Sequence, residues 1–92
     1  LHNDFLATLI SFWNEVRPLC AHFGVNSHRI ARMMMQIDPR VPRYGALRHG
    51  GPYGGKCLPK ELRRTLQLAK YLQLELPLLK AVQQVNQTRG GE

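Results

Sequence analysis

The sequence predicts an all-α domain of about four helices, with a long loop rich in glycine and proline between helices 2 and 3. Apolar residues recur at helical spacing in four stretches, which are separated by proline, glycine or capping residues. No stretch shows the alternation of a half-buried strand. Apolar residues make up 43% of the 92 residues, which is typical of one small folded domain.

The first predicted helix is too apolar for a helix that borders solvent. Asn3 or Asp4 is expected to cap it, and Gly24 to end it in the left-handed conformation. Pro18 predicts a kink or a break near Asn14–Glu15. Apolar residues cover more than one face: Leu6, Leu9, Ile10, Phe12, Trp13, Val16, Leu19, Cys20 and Phe23. We therefore expect this helix to be central or to pack on another chain.

The second helix is predicted over roughly residues 28–37, with Asn26 or Ser27 as its cap. The expected inner face consists of four apolar residues: Ile30, Met33, Met34 and Ile37. The methionines are interpreted as core filling rather than as part of a cofactor site.

The third and fourth helices are marked by prolines at their starts. Pro59 lies near the first turn of the third helix, which is expected to end near Gln73–Leu74, and Pro77 opens the fourth. Their expected inner faces are Leu62, Leu66, Ala69 and Leu72, and then Leu78, Leu79, Val82 and Val85. The polar tail Gln87–Glu92 is predicted to fray.

The segment Asp38–Gly55 differs from the rest because it holds three prolines and five glycines. A loop of this length inside a small domain is usually functional. The net charge is +7, and basic residues cluster from Arg40 to Arg64 around the loop. This clustering predicts a local anion site. A basic helical module that binds nucleic acid is the less favoured alternative, since helix-turn-helix spacing and interleaved aromatic residues are missing.

Cys57 is the strongest candidate for chemistry in this sequence. It follows Gly54, Gly55 and Lys56 and precedes the start of a predicted helix. The positive end of the helix dipole, Lys56 and Lys60 all favour a thiolate, which is the nucleophilic form of cysteine. A buried structural cysteine is the alternative. A P-loop is rejected, because no strand precedes the glycines and Cys57 stands where a P-loop has serine or threonine.

Other classes of site find little support in the sequence. The two cysteines lie far apart and are interpreted as reduced thiols of a cytoplasmic protein. The four histidines are scattered, so no metal site is expected. No apolar run approaches the ~20 residues that cross a bilayer, and no secretory leader is recognisable. The start without methionine indicates a piece of a longer protein.

Three segments carry a resemblance to a known family. Residues 3–15 read N-D-F-L-A-T-L-I-S-F-W-N-E, residues 38–41 read D-P-R-V, and residues 51–61 read G-P-Y-G-G-K-C-L-P-K-E. They are similar, in order and spacing, to N-A-F-L-A-x-x-I-S-F-x-N-E, D-P-R-I and G-x-x-[FY]-G-G-S-C-[FL]-P-K-D. On these motifs the chain resembles the central domain of the UDP-glucose/GDP-mannose dehydrogenase family over nearly its whole length.

The resemblance implies a fold like the C-terminal domain of 6-phosphogluconate dehydrogenase. It also implies that residues 1–92 are the central domain of a longer protein, whose NAD-binding and C-terminal UDP-binding domains are absent from this chain. The implied activity is NAD-dependent oxidation of the C6 alcohol of a nucleotide sugar to the uronic acid. The reaction passes through a cysteine thiohemiacetal and a thioester. The implied assembly is a homodimer built on the first long helix.

Residue roles follow from the same motifs. Cys57 matches the nucleophile, Asn3 an asparagine that helps hold the reacting oxygen, and Glu61 an aspartate that helps activate water. Arg40 matches an arginine that reaches the substrate across the dimer interface. The remaining residues expected to bind substrate lie in or beside the loop: Arg43, Tyr44, Tyr53, Gly54, Gly55 and Lys60. The family's catalytic lysine would lie two residues before Leu1.

Two departures qualify this reading. The family's serine before the cysteine is Lys56 here, and its aspartate is Glu61, which is longer by one methylene. A misplacement of about 1 Å can cost around 10²-fold in rate. A non-catalytic dimerisation scaffold of a diverged relative is therefore kept as an alternative function.

Overall fold

Four helices account for the regular structure of this protein. The computed structural model describes residues 1–55 and 57–92. Within these ranges the chain forms no strand, and the helices are α1 (His2–His22), α2 (Ser27–Ile37), α3 (Cys57–Tyr71) and α4 (Pro77–Thr88). The predicted all-α fold is confirmed. Helix α1 is central, since it packs against each of the other three, while α3 also packs against α4.

The ends of α1 match the prediction at one terminus only. The helix begins at His2, and neither Asn3 nor Asp4 caps it, so that prediction is wrong. The side chain of Asp4 points to α3, where Thr65 Oγ1 donates a hydrogen bond to it at 2.6 Å. Gly24 does end the helix, with a φ of +70°. The amides of Gly24 and Val25 donate to carbonyls of the last turn, as in a Schellman motif.

Pro18 lies inside α1 without breaking it, so the predicted break near Asn14–Glu15 is wrong. Proline has no N–H, so the carbonyl of Asn14 lacks its usual donor four residues on. The guanidinium of Arg89, just after α4, donates to that carbonyl instead. A contact from a distant part of the chain therefore supplies the hydrogen bond that the helix cannot make.

Helix α2 has the predicted cap but a different inner face. The Asn26 side chain accepts a hydrogen bond from the His28 amide at 2.9 Å. Met33 and Ile37, predicted to be internal, are 58% and 83% exposed. Ala31 is buried instead, and the side chains of Ile30, Met34 and Met35 pack around it. The buried face of α2 is thus centred on Ala31, which packs with Trp13 of α1.

Helices α3 and α4 start as predicted. Pro59 lies in the first turn of α3, and Pro77 is the first residue of α4. The assignment of Leu72 and Leu78 to inner faces is wrong, because these side chains are 52% and 65% exposed. Helix α3 ends at Tyr71, and Gln73 adopts a left-handed φ of +58° just beyond it.

The C-terminal tail, which was predicted to fray, lies against α3 and α4 in this structure. The amide of Gly91 donates to the Asn86 carbonyl at 3.0 Å. The Glu92 carboxylate accepts a hydrogen bond from the Arg63 guanidinium at 2.7 Å. Helix α4 itself extends to Thr88.

The loop between α2 and α3 supplies part of the core. Tyr53 packs with Ala7, Ile10, Leu62 and Val82 in one buried cluster. A second cluster joins Trp13 of α1, Ala31 of α2 and Ala46 of the loop. Because these loop side chains lie in the core, the segment before Cys57 is held against α1.

Candidate active site at the start of α3

Cys57 is the first residue of α3, and its side chain is exposed. It lines an open cleft of about 450 Å³ together with Asn3 of α1. The other lining residues all belong to α3: Lys60, Glu61, Arg64, Thr65 and Leu68. They lie three, four, seven, eight and eleven residues after Cys57, which places them on one face of the helix. The floor of the cleft is therefore one stripe of α3 that begins with the thiol.

Glu61 is the acidic group of this cleft. Its side chain lines the cleft together with Asn3 and Cys57. A glutamate side chain is a carboxylate at neutral pH, so a group that accepts protons and hydrogen bonds faces the cysteine cleft.

A buried polar group lies beneath the cleft. Asp4 is 3% exposed, and its Oδ2 accepts the hydrogen bond from Thr65. Tyr53 is 4% exposed. Its burial, and then the charge of Asp4, raises the pKa of the Tyr53 hydroxyl to about 12. Among the described residues, neither Asp4 Oδ1 nor the Tyr53 hydroxyl has a hydrogen-bond partner.

A second cleft, of about 640 Å³, lies on the loop side of Cys57. The substrate-binding residues predicted in the loop that line it are Tyr44, Tyr53, Gly54 and Gly55. Leu58 also lines this cleft, while its neighbour Cys57 lines the first, so the start of α3 separates the two. The Tyr53 side chain itself belongs mainly to the core.

Arg48 adds a positive charge to the second cleft. Its guanidinium carbon lies 5.9 Å from the centroid of the Tyr44 ring. A guanidinium held over an aromatic ring is restricted in orientation and keeps its charge available to an anion. The sequence singled out the basic cluster but did not assign Arg48 to the site.

Arg40 and Arg43 are not brought to either cleft. Both are exposed. Arg40 pairs with Asp38, with 2.9 Å between Nη2 and Oδ2. This hydrogen bond lowers the pKa of the Asp38 carboxyl. Within one chain, the site therefore combines Cys57, Asn3, Lys60 and Glu61 but leaves these two arginines outside.

Two fully buried asparagines hold the loop, and the sequence did not assign them a role. Asn14 accepts from the Gly50 amide at 2.6 Å and donates to the Gly51 carbonyl at 2.9 Å. Asn86 accepts from the Tyr53 amide at 2.8 Å and donates to its carbonyl at 3.3 Å. Each lies four positions after a buried apolar residue, and so on the buried face of its helix. A polar side chain at such a position is the signal by which the sequence could have identified them.

His49 fastens the same loop to α1 and α2. Its Nδ1 donates to the Gly45 carbonyl at 2.8 Å, and its Nε2 accepts from the buried Ser27 hydroxyl at 2.8 Å. Its ring stacks on that of His28, with 3.8 Å between centroids, and on Trp13 at 5.5 Å. Burial above all lowers the pKa of His49.

Lys56, expected beside the thiol, lies outside the described residues.

The described part of the chain holds neither a membrane-spanning helix nor a cluster of metal ligands. No helix there is both long enough and apolar enough to span a bilayer. No group of three or more histidine, cysteine, aspartate or glutamate residues there is placed to hold a metal ion.

Comparison with known proteins agrees with the motifs. The model of the UDP-glucose/GDP-mannose dehydrogenase family, central domain, matches residues 1–88. UDP-glucose 6-dehydrogenase YwqF of Bacillus subtilis is 39% identical over 84 residues, which are 91% of this chain and 19% of that protein. The UDP-glucose 6-dehydrogenase of Rickettsia typhi is 34% identical over 97% of this chain and 20% of its own length. The UDP-glucose 6-dehydrogenase of Pseudomonas aeruginosa is 38% identical over 91% of this chain and 18% of its own length. The chain thus spans about a fifth of the length of these relatives.

Proposed function

Because the chain belongs to the UDP-glucose/GDP-mannose dehydrogenase family, we propose that it is the central domain of an NAD-dependent nucleotide-sugar 6-dehydrogenase. In this proposal it supplies the catalytic cysteine and the dimer interface. The full-length protein oxidises the C6 alcohol of a sugar such as that of UDP-glucose or GDP-mannose to the acid. The names of the relatives support the UDP-glucose type.

The placement of Cys57 is the observation that carries the proposal. Its exposed side chain lies at the first residue of α3, in one cleft with Asn3 and Glu61. The Cys57 sulfur adds to the sugar aldehyde, and the Asn3 amide donates a hydrogen bond to the reacting oxygen. Glu61 accepts a proton from the water that hydrolyses the thioester.

NAD is assigned to a domain outside this chain. The described residues contain no strand, and so no strand–turn–helix unit that would bind a dinucleotide. Bound there, NAD would supply the hydride acceptor for the two oxidations. We place the NAD-binding and C-terminal UDP-binding domains beyond residues 1–92, as the greater length of the relatives supports. A cytoplasmic location stays a prediction.

A homodimer through α1 is supported by an apolar stripe on that helix. The stripe consists of residues spaced alternately four and three apart: Phe5, Leu9, Phe12, Val16, Leu19 and Phe23. Phe5, Phe12, Leu19 and Phe23 are 58%, 54%, 61% and 73% exposed. This spacing is that of helices that pack side by side. A second copy packed on the stripe would bury these residues. It would also bring the partner's substrate site within reach of the exposed Arg40.

The test uses the full-length protein with NAD and either UDP-glucose or GDP-mannose. Wild type is expected to form NADH, and Cys57→Ser to lower the rate by roughly 10³-fold or more, because the covalent step is lost. Cys20→Ser is the matched control and should keep its rate. A Cys57→Ser protein as active as wild type would refute Cys57 as the nucleophile, and a wild type that oxidises neither sugar nucleotide would favour the non-catalytic scaffold.

A further inference from the structure

Asp4 is a buried acidic residue that the proposed reaction leaves without a role. Its side chain is 3% exposed, and a buried carboxylate is costly unless it is paired. Its closest partner is Thr65, with 2.6 Å between Oδ2 and Oγ1. Asp4 directly follows Asn3, which lines the cysteine cleft. The acid therefore lies under the cleft and contacts it through Thr65.

The contact with Asp4 decides how the Thr65 hydroxyl is oriented. A hydroxyl has one proton, and here it is donated to Asp4. The remaining lone pairs of Thr65 Oγ1 can then only accept hydrogen bonds. Thr65 is itself one of the residues that line the cysteine cleft. Asp4 thus makes Thr65 an acceptor at the edge of this cleft.

Thr65 and Glu61 form a pair of acceptors on one helix face. Thr65 lies one helical turn after Glu61, which lies one turn after Cys57, and all three line the same cleft. A water molecule has two protons to donate. One can point to the Glu61 carboxylate and the other to Thr65 Oγ1, which leaves an oxygen lone pair for attack on a group bound to Cys57.

We propose that Thr65, oriented by Asp4 as a positioning residue, holds with Glu61 the water that hydrolyses the thioester on Cys57. This inference rests on the proposed function. The water oxygen forms a bond to the thioester carbonyl carbon, and the carbon–sulfur bond breaks so that Cys57 leaves as thiolate. One water proton passes to Glu61, and the other stays on the hydroxyl of the new carboxylic acid. Thr65 keeps its own proton throughout.

The first test compares Thr65→Val with Thr65→Ser in the full-length enzyme. Valine removes the hydroxyl at nearly constant shape, so hydrolysis should slow by about 10- to 100-fold. The oxidations should still give a rapid burst of two NADH per site, followed by a slow steady phase with a lowered KM for the sugar nucleotide. Intact-protein mass spectrometry should show the acyl group on Cys57. Serine should recover most of the lost rate.

The second test asks whether Asp4 acts through Thr65. Asp4→Ala alone should slow the steady phase by about tenfold, and adding it to Thr65→Val should cause little further loss. Losses that multiply, an unchanged rate in Thr65→Val, or a burst that slows along with the steady phase would each overturn the inference. If wild type oxidises no sugar nucleotide, the proposed function fails instead. Because the serine–valine comparison needs no change at Asp4, it stands even if Asp4→Ala does not fold.

Discussion

Asn14 and Asn86 show how single residues shape the loop before the cysteine. Each is fully buried and satisfies one N–H and one carbonyl of the loop backbone. A buried backbone group without a partner costs about 1–3 kcal/mol, so these side chains replace the hydrogen bonds that a helix or sheet would provide. The loop can therefore be irregular and still hold Tyr53 in a defined position ahead of Cys57.

His49 should make the stability of the domain depend on pH. Its pKa is lowered by burial first, and also by the nearby charges of His28 and Arg17, although the hydrogen bond to Gly45 opposes this. The unfolded chain then binds more protons than the folded one below the ordinary value of 6.5. The stabilisation from neutral His49 is complete above that value and is lost as pH falls towards the lower pKa of the folded state.

Urea denaturation of the 92-residue chain, followed by the fluorescence of Trp13, measures this dependence. Wild type should lose stability between pH 7.5 and pH 5. The variant His49→Phe keeps a planar ring for stacking but cannot be protonated, so its stability should change less over the same range, whatever its absolute value. Equal slopes for the two proteins would exclude His49 as the titrating group.

At the scale of elements, the loop and α1 meet at Gly45. Its φ is +81°, and a Cβ there would lie 2.7 Å from the carbonyl carbon and oxygen of Leu9. Gly45→Ala should therefore lower the free energy of unfolding by about 2 kcal/mol or more, from backbone strain and a clash with a helix backbone. Gly51→Ala is the matched control, because a Cβ there meets nothing within 4 Å. Similar losses in both variants would contradict the close-approach explanation.

The energetic coupling between Arg89 and Pro18, which both act on the Asn14 carbonyl, can be measured by a double-mutant cycle. Arg89→Leu leaves the Asn14 carbonyl without a donor and should cost about 1–3 kcal/mol of unfolding free energy. In a Pro18→Ala background, the new amide of residue 18 can donate to that carbonyl, so the same change should cost less. Chemical denaturation of the four proteins gives the coupling energy, and strictly additive effects would show that Arg89 stabilises the domain by another route.

At the scale of the molecule, the domain is extended for its length. Its radius of gyration is 14.0 Å, whereas a compact domain of this size is expected near ~12 Å. Large apolar side chains remain exposed on α1 and near the turn between α3 and α4. A shape with this much uncovered apolar surface is typical of a part that packs on further chains or domains.

The apolar stripe on α1 predicts a dimer in solution. Sedimentation of the 92-residue chain at micromolar concentration should give a dimer. Phe12→Arg, in the middle of the stripe, should raise the dissociation constant by about 100-fold or more, because a charge would be buried in the interface. Leu72→Arg changes a comparably exposed residue, 52% against 54%, outside the stripe and should leave the dimer intact. A monomeric wild type would refute this interface.

Features that depend on neighbouring residues were predicted from the sequence. The Asn26 cap, the Gly24 terminator and the proline starts of α3 and α4 follow from backbone conformations and hydrogen bonds within a few residues. The two residues wrongly assigned to the inner face of α2, Met33 and Ile37, show the limit. Apolar spacing defines a stripe, but the partner helix decides which side of that stripe is buried.

The sequence by itself determined four helices and a cysteine candidate at a helix start, with Glu61 one turn later on the same face. These features are local, so chain geometry alone sets them. Only the tertiary structure decided that Asn3 joins this face, that Asp4 turns away from a capping role to Thr65, and that the loop residues form a separate cleft. Such contacts join residues up to 61 positions apart, and they depend on how whole helices pack rather than on any short pattern.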